Sequence, residues 1–403
     1  MSKAIEGNAV VGQSGGPTAV INQSLVGVIE GVAGQDAVRK LLGARNGVRG
    51  IIDERFIDLK ALPADLLERV ADTPCAALGS TRDKPDEQYC RKIFDVFSKN
   101  DVRYFFYIGG NDSADTARIV SEMAAAADYD LCVYHIPKTI DNDLKVTDHC
   151  PGYGSAARFV TCAIMGDDRD NASLPGIKID VIMGRHAGWL TAASSLARRD
   201  ETDGPHLVYV PESPLEERKF IEDVAEAYAR FGRCLVAMSE GVEDENHKAW
   251  GERIIENAER DSHGNVQLSG SGALGDYFAE VVKTKVAVKL GGKRLRVRAD
   301  TFGYLQRSFA GYASPVDRRE ARAVGRKAAA CALAGRPGGS VAMKRREGPR
   351  YGVSYFRAEL KDVARDTKPL PADFMTPSGN GITDAFRNYA LPLVGKLPEI
   401  GKL

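Results

Sequence analysis

Leu131-Cys132-Val133-Tyr134-His135-Ile136 runs without a break into Pro137-Lys138-Thr139-Ile140-Asp141-Asn142-Asp143. The first six residues form the mostly apolar run expected of a strand buried on both faces of a parallel sheet, and the proline closes it. A strand that exits into a cation, a hydroxyl and two carboxylates presents them at its carboxyl end, the edge at which open α/β sheets bind ligands. These are the groups that phosphoryl transfer uses. A solvated Asp/Asn turn is the other reading of the same letters, and the neighbouring segments decide between the two.

Two similar exits precede it. The apolar run Val102–Ile108 leads into Gly109-Gly110-Asn111-Asp112-Ser113 and then a helical pattern over Ala114–Ala127. Nearer the N-terminus, Ala9–Val11 leads into Gly12-Gln13-Ser14-Gly15-Gly16-Pro17-Thr18 and an amphipathic stretch over Ala19–Val32. A strand, a glycine turn and a helix start make an anion cradle: the backbone approaches closely without a Cβ, and the helix offers unpaired N–H groups. Taken alone, each turn reads equally well as a fold device, and Asp112 carries the wrong charge for a simple anion site. The N-terminal turn does not fit the Walker A spacing, so a P-loop is excluded, and it does not match G-x-G-x-x-G, so a dinucleotide site is unsupported.

Further along, Met183-Gly184-Arg185-His186-Ala187-Gly188 closes another strand, and Arg296, Arg298 and Arg307 surround Tyr304-Leu305-Gln306. Arginine forks suit phosphate bidentately, whereas two arginines two apart on one face of a strand also describe a solvated edge. His135, His149 and His186 have no sequence partner at a metal-ligand or triad spacing.

The fold class follows from the alternation. Candidate strands at Ala9–Val11, Cys75–Leu78, Val102–Ile108, Leu131–Ile136, Ile177–Met183, His206–Val210 and Cys234–Ser239 are separated by helical patterns, including Glu216–Phe231. This predicts an α/β protein built from Rossmann-like three-layer domains with mostly parallel sheets. The pattern restarts after Val146–Pro151, which places a domain boundary there. The polar stretch Glu243–Gly272, with a turn at Asp261–Asn265, reads as an insertion, and the residues beyond Pro369 as a loosely structured extension that packs on the body or on a partner.

Composition limits the function. Of the 403 residues, 55 are basic and 55 acidic, so no net field favours nucleic acid or an anionic membrane. Seven cysteines without a C-x-x-C pair signal neither a disulfide framework nor structural zinc. No signal core and no apolar run of about eighteen residues occurs, so a soluble cytoplasmic protein is expected.

With these motifs in place, the chain from Gly12 to about Asp317 resembles the phosphofructokinase family, specifically its pyrophosphate-using branch. Gly15-Gly16 is similar to the family's first phosphate loop, and Leu78-Gly79-Ser80-Thr81-Arg82 to its donor-contacting segment. Gly109–Ser113 resembles the donor and metal loop, Thr139–Asp143 the reacting centre, and Met183–Arg185 the sugar-phosphate contact. Ser239-Glu240-Gly241 resembles the strand end that holds the sugar, and Arg298 with Tyr304–Arg307 the 6-phosphate clamp.

The branch rests on two residues. Family members that use ATP carry glycine where this chain has Asp112 and Lys138. A carboxylate at Asp112 would meet a nucleotide's α-phosphate, and like charges about 4 Å apart repel by roughly 1–4 kcal/mol in water-like to surface dielectrics. Lys138 would attract pyrophosphate and the departing phosphate.

The resemblance implies a donor domain over 1–146 plus about 311–370, and a fructose 6-phosphate domain over about 147–310 with an insertion near 243–272. Residues 371–403 would form a C-terminal extension. It implies Asp141 as base, with Lys138, Asp112 and Thr139 beside it. The donor would be held by Gly15, Gly16, Arg82, Gly110, Asp112, Ser113 and Lys138. The sugar phosphate would be held by Thr139, Ile140, Asp141, Met183, Gly184, Arg185, Glu240, Arg298, Tyr304, Gln306 and Arg307. Mg²⁺ is the implied cofactor, held by Asn111 and Asp143, although Asn111 stands where the family commonly has an aspartate. A homodimer or homotetramer is expected, with Arg298 reaching a neighbouring subunit. The rival readings are ATP use, as in phosphofructokinases or in lipid and nicotinamide-dinucleotide kinases, sedoheptulose 7-phosphate as substrate, and a catalytically silent sugar-phosphate binder.

Overall fold

β1 (Gly7–Gln13), β4 (Val102–Gly109) and β5 (Cys132–Pro137) are buried along almost their whole length, as their continuous apolar sequences require. The computed structural model describes residues 4–254, 270–292, 294–364 and 366–402. The turn expected at Asp261–Asn265, and half of the insertion expected near 243–272, lie outside the described residues.

The first unit comprises Met1–Ser155 and Arg307–Lys368. Besides the three central strands it contains β2 (Val38–Ala44), β3 (Phe56–Asp58), β10 (Gly339–Arg345) and β11 (Val353–Ala358). Its seven-stranded sheet has the order β11-β10-β5-β4-β1-β2-β3. The pairs β1–β2, β1–β4, β4–β5 and β5–β10 are parallel, and the edge pairs β2–β3 and β10–β11 are antiparallel. Chain order reverses between β1 and β4, so the crevice outside their carboxyl ends is the topological switch point. The helix Ile21–Val32 packs on Pro315–Leu333 at unusually close range. A Cβ on Gly27 would lie 2.2 Å from Arg322 O, and one on Gly325 2.2 Å from Ser24 O, so only glycine allows the two backbones to touch.

The second unit comprises Ala156–Gln306 and Pro369–Leu403. β6 (Ile177–Ile182), β7 (Leu207–Tyr209), β8 (Cys234–Ser239) and β9 (Val297–Thr301) form a fully parallel sheet in the order β7-β8-β6-β9. Its core is built on Phe220, Val236, Met238 and Phe278.

Three sequence expectations change. Cys75–Leu78 is not a strand: Cys75 has φ of 71° and Gly79 of 75°, and the segment is instead tied by side chains, Leu78 N to Gln13 Oε1 and Ala77 N to Asn22 Oδ1. The units divide at Ser155, inside the helix Tyr153–Ser173, rather than near Val146–Pro151. Residues 369–403 are not a loose extension but part of the second unit. The helix Asp384–Val394 buries Phe386, Ala390, Leu393 and Val394, and Tyr389 packs 5.3 Å from Trp189 between ring centroids. Among the described residues, no helix is long and apolar enough to cross a membrane.

Candidate active site

In the first unit the switch point gathers both glycine turns. Ser14 N donates to Ile108 O at 2.9 Å, and the Ser113 hydroxyl donates to Ser14 Oγ at 3.0 Å, so the exits of β1 and β4 are stitched together. Gly110 precedes the helix Asn111–Ala126, whose first turn carries Asp112. Under this turn His135 bridges Gly109 O, at 2.9 Å from Nε2, and Ser340 Oγ, at 2.8 Å from Nδ1. Burial drives the His135 pKa down to about 4, so the ring is neutral and structural rather than a base.

Lys138 is the anomaly of the unit. An ammonium is almost never fully buried without pairing, yet this residue is only 4 % exposed. Its Nζ donates to Gly16 O at 2.9 Å, and a Cβ on Gly15 would come within 3.1 Å of it. Burial pulls its pKa down to about 8, Asp141 and Asp143 raise it, and Arg307 and Arg82 lower it further. One amine therefore lies in the fields of two carboxylates and two guanidiniums. Gly16 also faces Arg307, whose Nη1 would meet a Cβ there at 3.0 Å.

The segment after Lys138 is held open rather than coiled into a helix. Thr139 forms a bridge with Gly152, and Asp141 N donates to Thr139 Oγ1 at 3.0 Å. Asn142 adopts φ of 57°, and its buried Oδ1 accepts from Cys150 N at 2.9 Å. Ile140 is buried beside them. Asp112, by contrast, is largely exposed and sits 3.4 Å from Lys84 Nζ, a partner that the sequence reading missed.

Asn111 and Asp143 offer a place that suits a divalent cation. Asn111 Nδ2 lies 3.4 Å from Asp143 Oδ2, and the buried Asn111 Oδ1 has no hydrogen-bond partner among the described residues. An orphaned amide oxygen beside a carboxylate is a hard-oxygen donor set. Among the described residues, a group of three acids close enough to hold a metal occurs at Asp167, Asp180 and Asp300 in the second unit. There the Lys178 ammonium already contacts Asp167 at 3.1 Å and Asp300 at 2.5 Å, so the cation is internal.

In the second unit, the exits of β6 and β8 interlock. Ser239 Oγ donates to Gly184 O at 2.6 Å, and Glu240 N donates to Ile182 O at 2.8 Å. A Cβ on Gly241 would lie 2.0 Å from Arg185 O, so the Met183–Arg185 turn sits directly on the Ser239–Gly241 turn. Gln306 Oε1 accepts from Met183 N at 3.2 Å, and the Glu240 side chain is buried. Arg298 is exposed on the edge strand β9, while Arg296 is spent on Leu174 O and Asp170.

The segment Tyr304–Arg307 is divided between the two units. Tyr304 is exposed and Gln306 braces the second unit, whereas Arg307 belongs to the first and faces Gly16 and Lys138. The sequence placed all four residues together as one phosphate clamp.

Comparison with known proteins places these observations. The family model described as Phosphofructokinase matches residues 8–332. The pyrophosphate--fructose 6-phosphate 1-phosphotransferase of Rhodospirillum rubrum is 52 % identical over 99 % of this chain and 97 % of its own length. The enzyme of the same name from Xanthomonas campestris is 38 % identical over 97 % and 93 %. The crystal structure of a pyrophosphate-dependent phosphofructokinase from Marinobacter aquaeolei superposes with a TM-score of 0.84 at 34 % identity, covering 98 % of this chain and 94 % of that one. The doubly wound sheets, the two glycine turns at the switch point and the acidic exit of β5 thus have a common origin: the chain belongs to the phosphofructokinase family.

Proposed function

We propose that this protein is a pyrophosphate--fructose 6-phosphate 1-phosphotransferase that works in the cytoplasm, forming fructose 1,6-bisphosphate and phosphate reversibly. The observation that carries this reading is the buried Lys138 ammonium, held against the Gly15-Gly16 turn and facing Asp141. It is a preorganised cation where a phosphoryl donor's charge would rest, and such groups contribute most of the rate in phosphoryl transfer.

The donor is held by Gly15, Gly16, Arg82, Gly110, Ser113 and Lys138. Asp112 at the helix start repels a nucleotide's α-phosphate, and Lys138 fills the space that the glycine of ATP-using members leaves open. Asp141 accepts the proton of the sugar's 1-hydroxyl, and Thr139, hydrogen-bonded to Asp141 N, fixes the height of that carboxylate. Asn111 and Asp143 would hold Mg²⁺, which when bound would neutralise charge on the phosphoryl oxygens. In the second unit Met183, Gly184, Arg185 and Glu240 hold the sugar, with Gln306 bracing Met183 and Tyr304 beside it. Ile140 lines the apolar side of the reacting segment, and Arg307 neutralises phosphate next to Gly16. Exposed Arg298 serves a neighbouring subunit of a homodimer or homotetramer.

The test is a donor assay. Fructose 6-phosphate and Mg²⁺ are supplied with either pyrophosphate or ATP, and fructose 1,6-bisphosphate is followed. Turnover with pyrophosphate and none with ATP is expected; turnover with ATP alone defeats the reading.

A further inference from the structure

The reacting segment has no regular structure of its own, so something must hold Asp141 and Asp143 in place. Its support is the returning half of the same loop. Thr139 N donates to Pro151 O at 3.2 Å, Cys150 N donates to Asn142 Oδ1 at 2.9 Å, and Gly152 N donates to Asp317 Oδ1 at 2.9 Å. Residues 150–152 are therefore the backing on which residues 139–142 lean.

The connection between the two halves of the loop is strained. Between the two halves Val146 has φ of 70°, a conformation that a β-branched side chain adopts only when its surroundings force it. The forcing contacts lie immediately after it. Thr147 Oγ1 donates to His149 O at 2.8 Å and accepts from Met343 N at 3.0 Å. Lys368 Nζ donates to Thr147 O at 3.1 Å and to Asp148 O at 2.8 Å, while Lys368 N donates to Asp143 O at 2.6 Å.

At the centre of these ties is His149, only 2 % exposed. Its Nδ1 is 3.0 Å from Asp148 Oδ1 and its Nε2 is 2.7 Å from Glu320 Oε2. Both ring nitrogens face carboxylate oxygens, an arrangement that favours the doubly protonated ring: burial works to lower the His149 pKa, but the hydrogen bonds to Asp148 and Glu320 raise it above the ordinary histidine value. Tyr351 closes the cluster, its hydroxyl donating to Glu320 Oε1 at 2.6 Å and lying 3.3 Å from His149 Nε2. The charged and titratable groups facing the ring are Asp148 from the loop, Glu320 from the helix Pro315–Leu333, Tyr351, and Arg345, whose Nε is 3.8 Å from Asp148. Lys368 reaches the same turn through Asp148 O. Nothing in the proposed chemistry uses these groups, and burying such a network is costly unless every member is satisfied.

We infer that the His149–Glu320 ion pair is a positioning device for phosphoryl transfer: it pins the backing segment 150–152 to the helix behind it and so fixes the carboxylates of Asp141 and Asp143. The inference rests on the reading of Asp141 and Asp143 as reacting groups. A displacement of about 1 Å at reacting atoms costs on the order of 100-fold in rate, so a pair that never touches substrate can govern kcat.

The experiment has two arms. In the kinetic arm, His149→Gln and Glu320→Gln are compared with the unaltered protein in the pyrophosphate assay at pH 7, with folding checked by circular dichroism. Each is expected to lower kcat by about 10- to 100-fold with KM for both substrates unchanged, and the double variant to lose no more than either single. In the second arm, ¹⁵N-histidine labelling reads the ring directly: His149 should carry protons on both nitrogens at pH 7. Where a glutamine variant does not fold, Tyr351→Phe leaves the ion pair in place and carries the test. With the Tyr351 hydroxyl gone from Glu320 Oε1, the carboxylate is left to the His149 ring, the His149 titration midpoint moves up, and kcat persists to higher pH. A neutral His149 ring at pH 7, folded variants with normal kcat, additive losses, or an unmoved midpoint in Tyr351→Phe each overturn the inference. An unaltered protein inert toward pyrophosphate instead defeats the functional reading.

Discussion

Replacing Lys138 by Met should make the protein more stable and almost inactive at once. Folding lowers the amine's pKa from 10.5 to about 8, and this difference corresponds to roughly 3 kcal/mol spent on keeping the ammonium charged in a buried site. Methionine has similar length and no charge to desolvate. Against that gain, Gly16 O loses its donor, which costs about 1–2 kcal/mol if the carbonyl is left unsatisfied. The net stabilisation at pH 7 is therefore about 1–2 kcal/mol, or roughly 2–8 °C in Tm for a unit of this size. The sign with pH is fixed by linkage. Below about 8 both folded and unfolded states hold the proton, and the full penalty is present in the unaltered protein. Between about 8 and 10.5 the unfolded chain holds more protons, so stability of the unaltered protein rises with pH and its deficit relative to Lys138→Met closes. Activity moves the other way: losing one fixed cation at a phosphoryl-transfer site costs on the order of 100- to 1000-fold in kcat. In the unaltered protein kcat/KM for pyrophosphate should fall above about pH 8 as the free amine deprotonates, while kcat holds to higher pH because the bound anion raises that pKa. Thermal melts from pH 6.5 to 10.5 and steady-state kinetics over the same range check both halves. A Lys138→Met protein that melts lower than the original at pH 7, or that retains more than about a tenth of kcat, refutes the reasoning.

Asp141→Asn should lower kcat by about 100- to 10,000-fold while fructose 6-phosphate still binds with unchanged affinity in calorimetry. Asp112→Gly should relieve repulsion toward nucleotides, read as detectable ATP binding; because Asp112 is exposed and its ion pair with Lys84, at 3.4 Å, lies at the surface, the melting temperature should move by no more than about 2 °C. Asn111→Asp adds a charged oxygen where the orphaned amide oxygen now sits, so the Mg²⁺ concentration for half-maximal activity should fall. Phe386→Ala removes a fully buried ring that anchors the helix Asp384–Val394 and should cost about 3–5 kcal/mol in denaturant unfolding, with kcat unchanged while the protein stays folded.

The central strands were legible because burial on both faces leaves a continuous apolar signal: β1, β4, β5, β6, β7 and β8 all lie where apolar runs put them. The edges were not. In β2, Val38-Arg39-Lys40-Leu41 points its two cations to solvent, and β11 pairs only with β10, so neither carries the buried-strand pattern. Cys75–Leu78 shows the opposite error, where four small or apolar residues read as a strand although left-handed backbone at Cys75 forbids one. The reacting segment was visible because its chemistry is local in sequence, Lys138 to Asp143. What holds it was invisible, since Asp317, Glu320, Tyr351 and Lys368 arrive from more than 160 residues away, as the 165-residue separation of Gly152 and Asp317 illustrates. The helix Asp384–Val394 was hidden by Pro392, which lies within it and reads as a breaker.

The discontinuity of both units has a consequence for how the chain is made. β5 pairs with β10, and β10 lies beyond the whole run of residues 156–306 that builds most of the second unit. At roughly 5–20 residues per second a ribosome needs about 10–40 s to pass from Pro137 to Gly339. Through that interval β5, destined to be buried along its entire length, waits with one open hydrogen-bonding edge. The nascent protein is thus most vulnerable to aggregation midway through synthesis, and a chaperone that shields this strand would act on a polypeptide of roughly 140–340 residues rather than on the released chain.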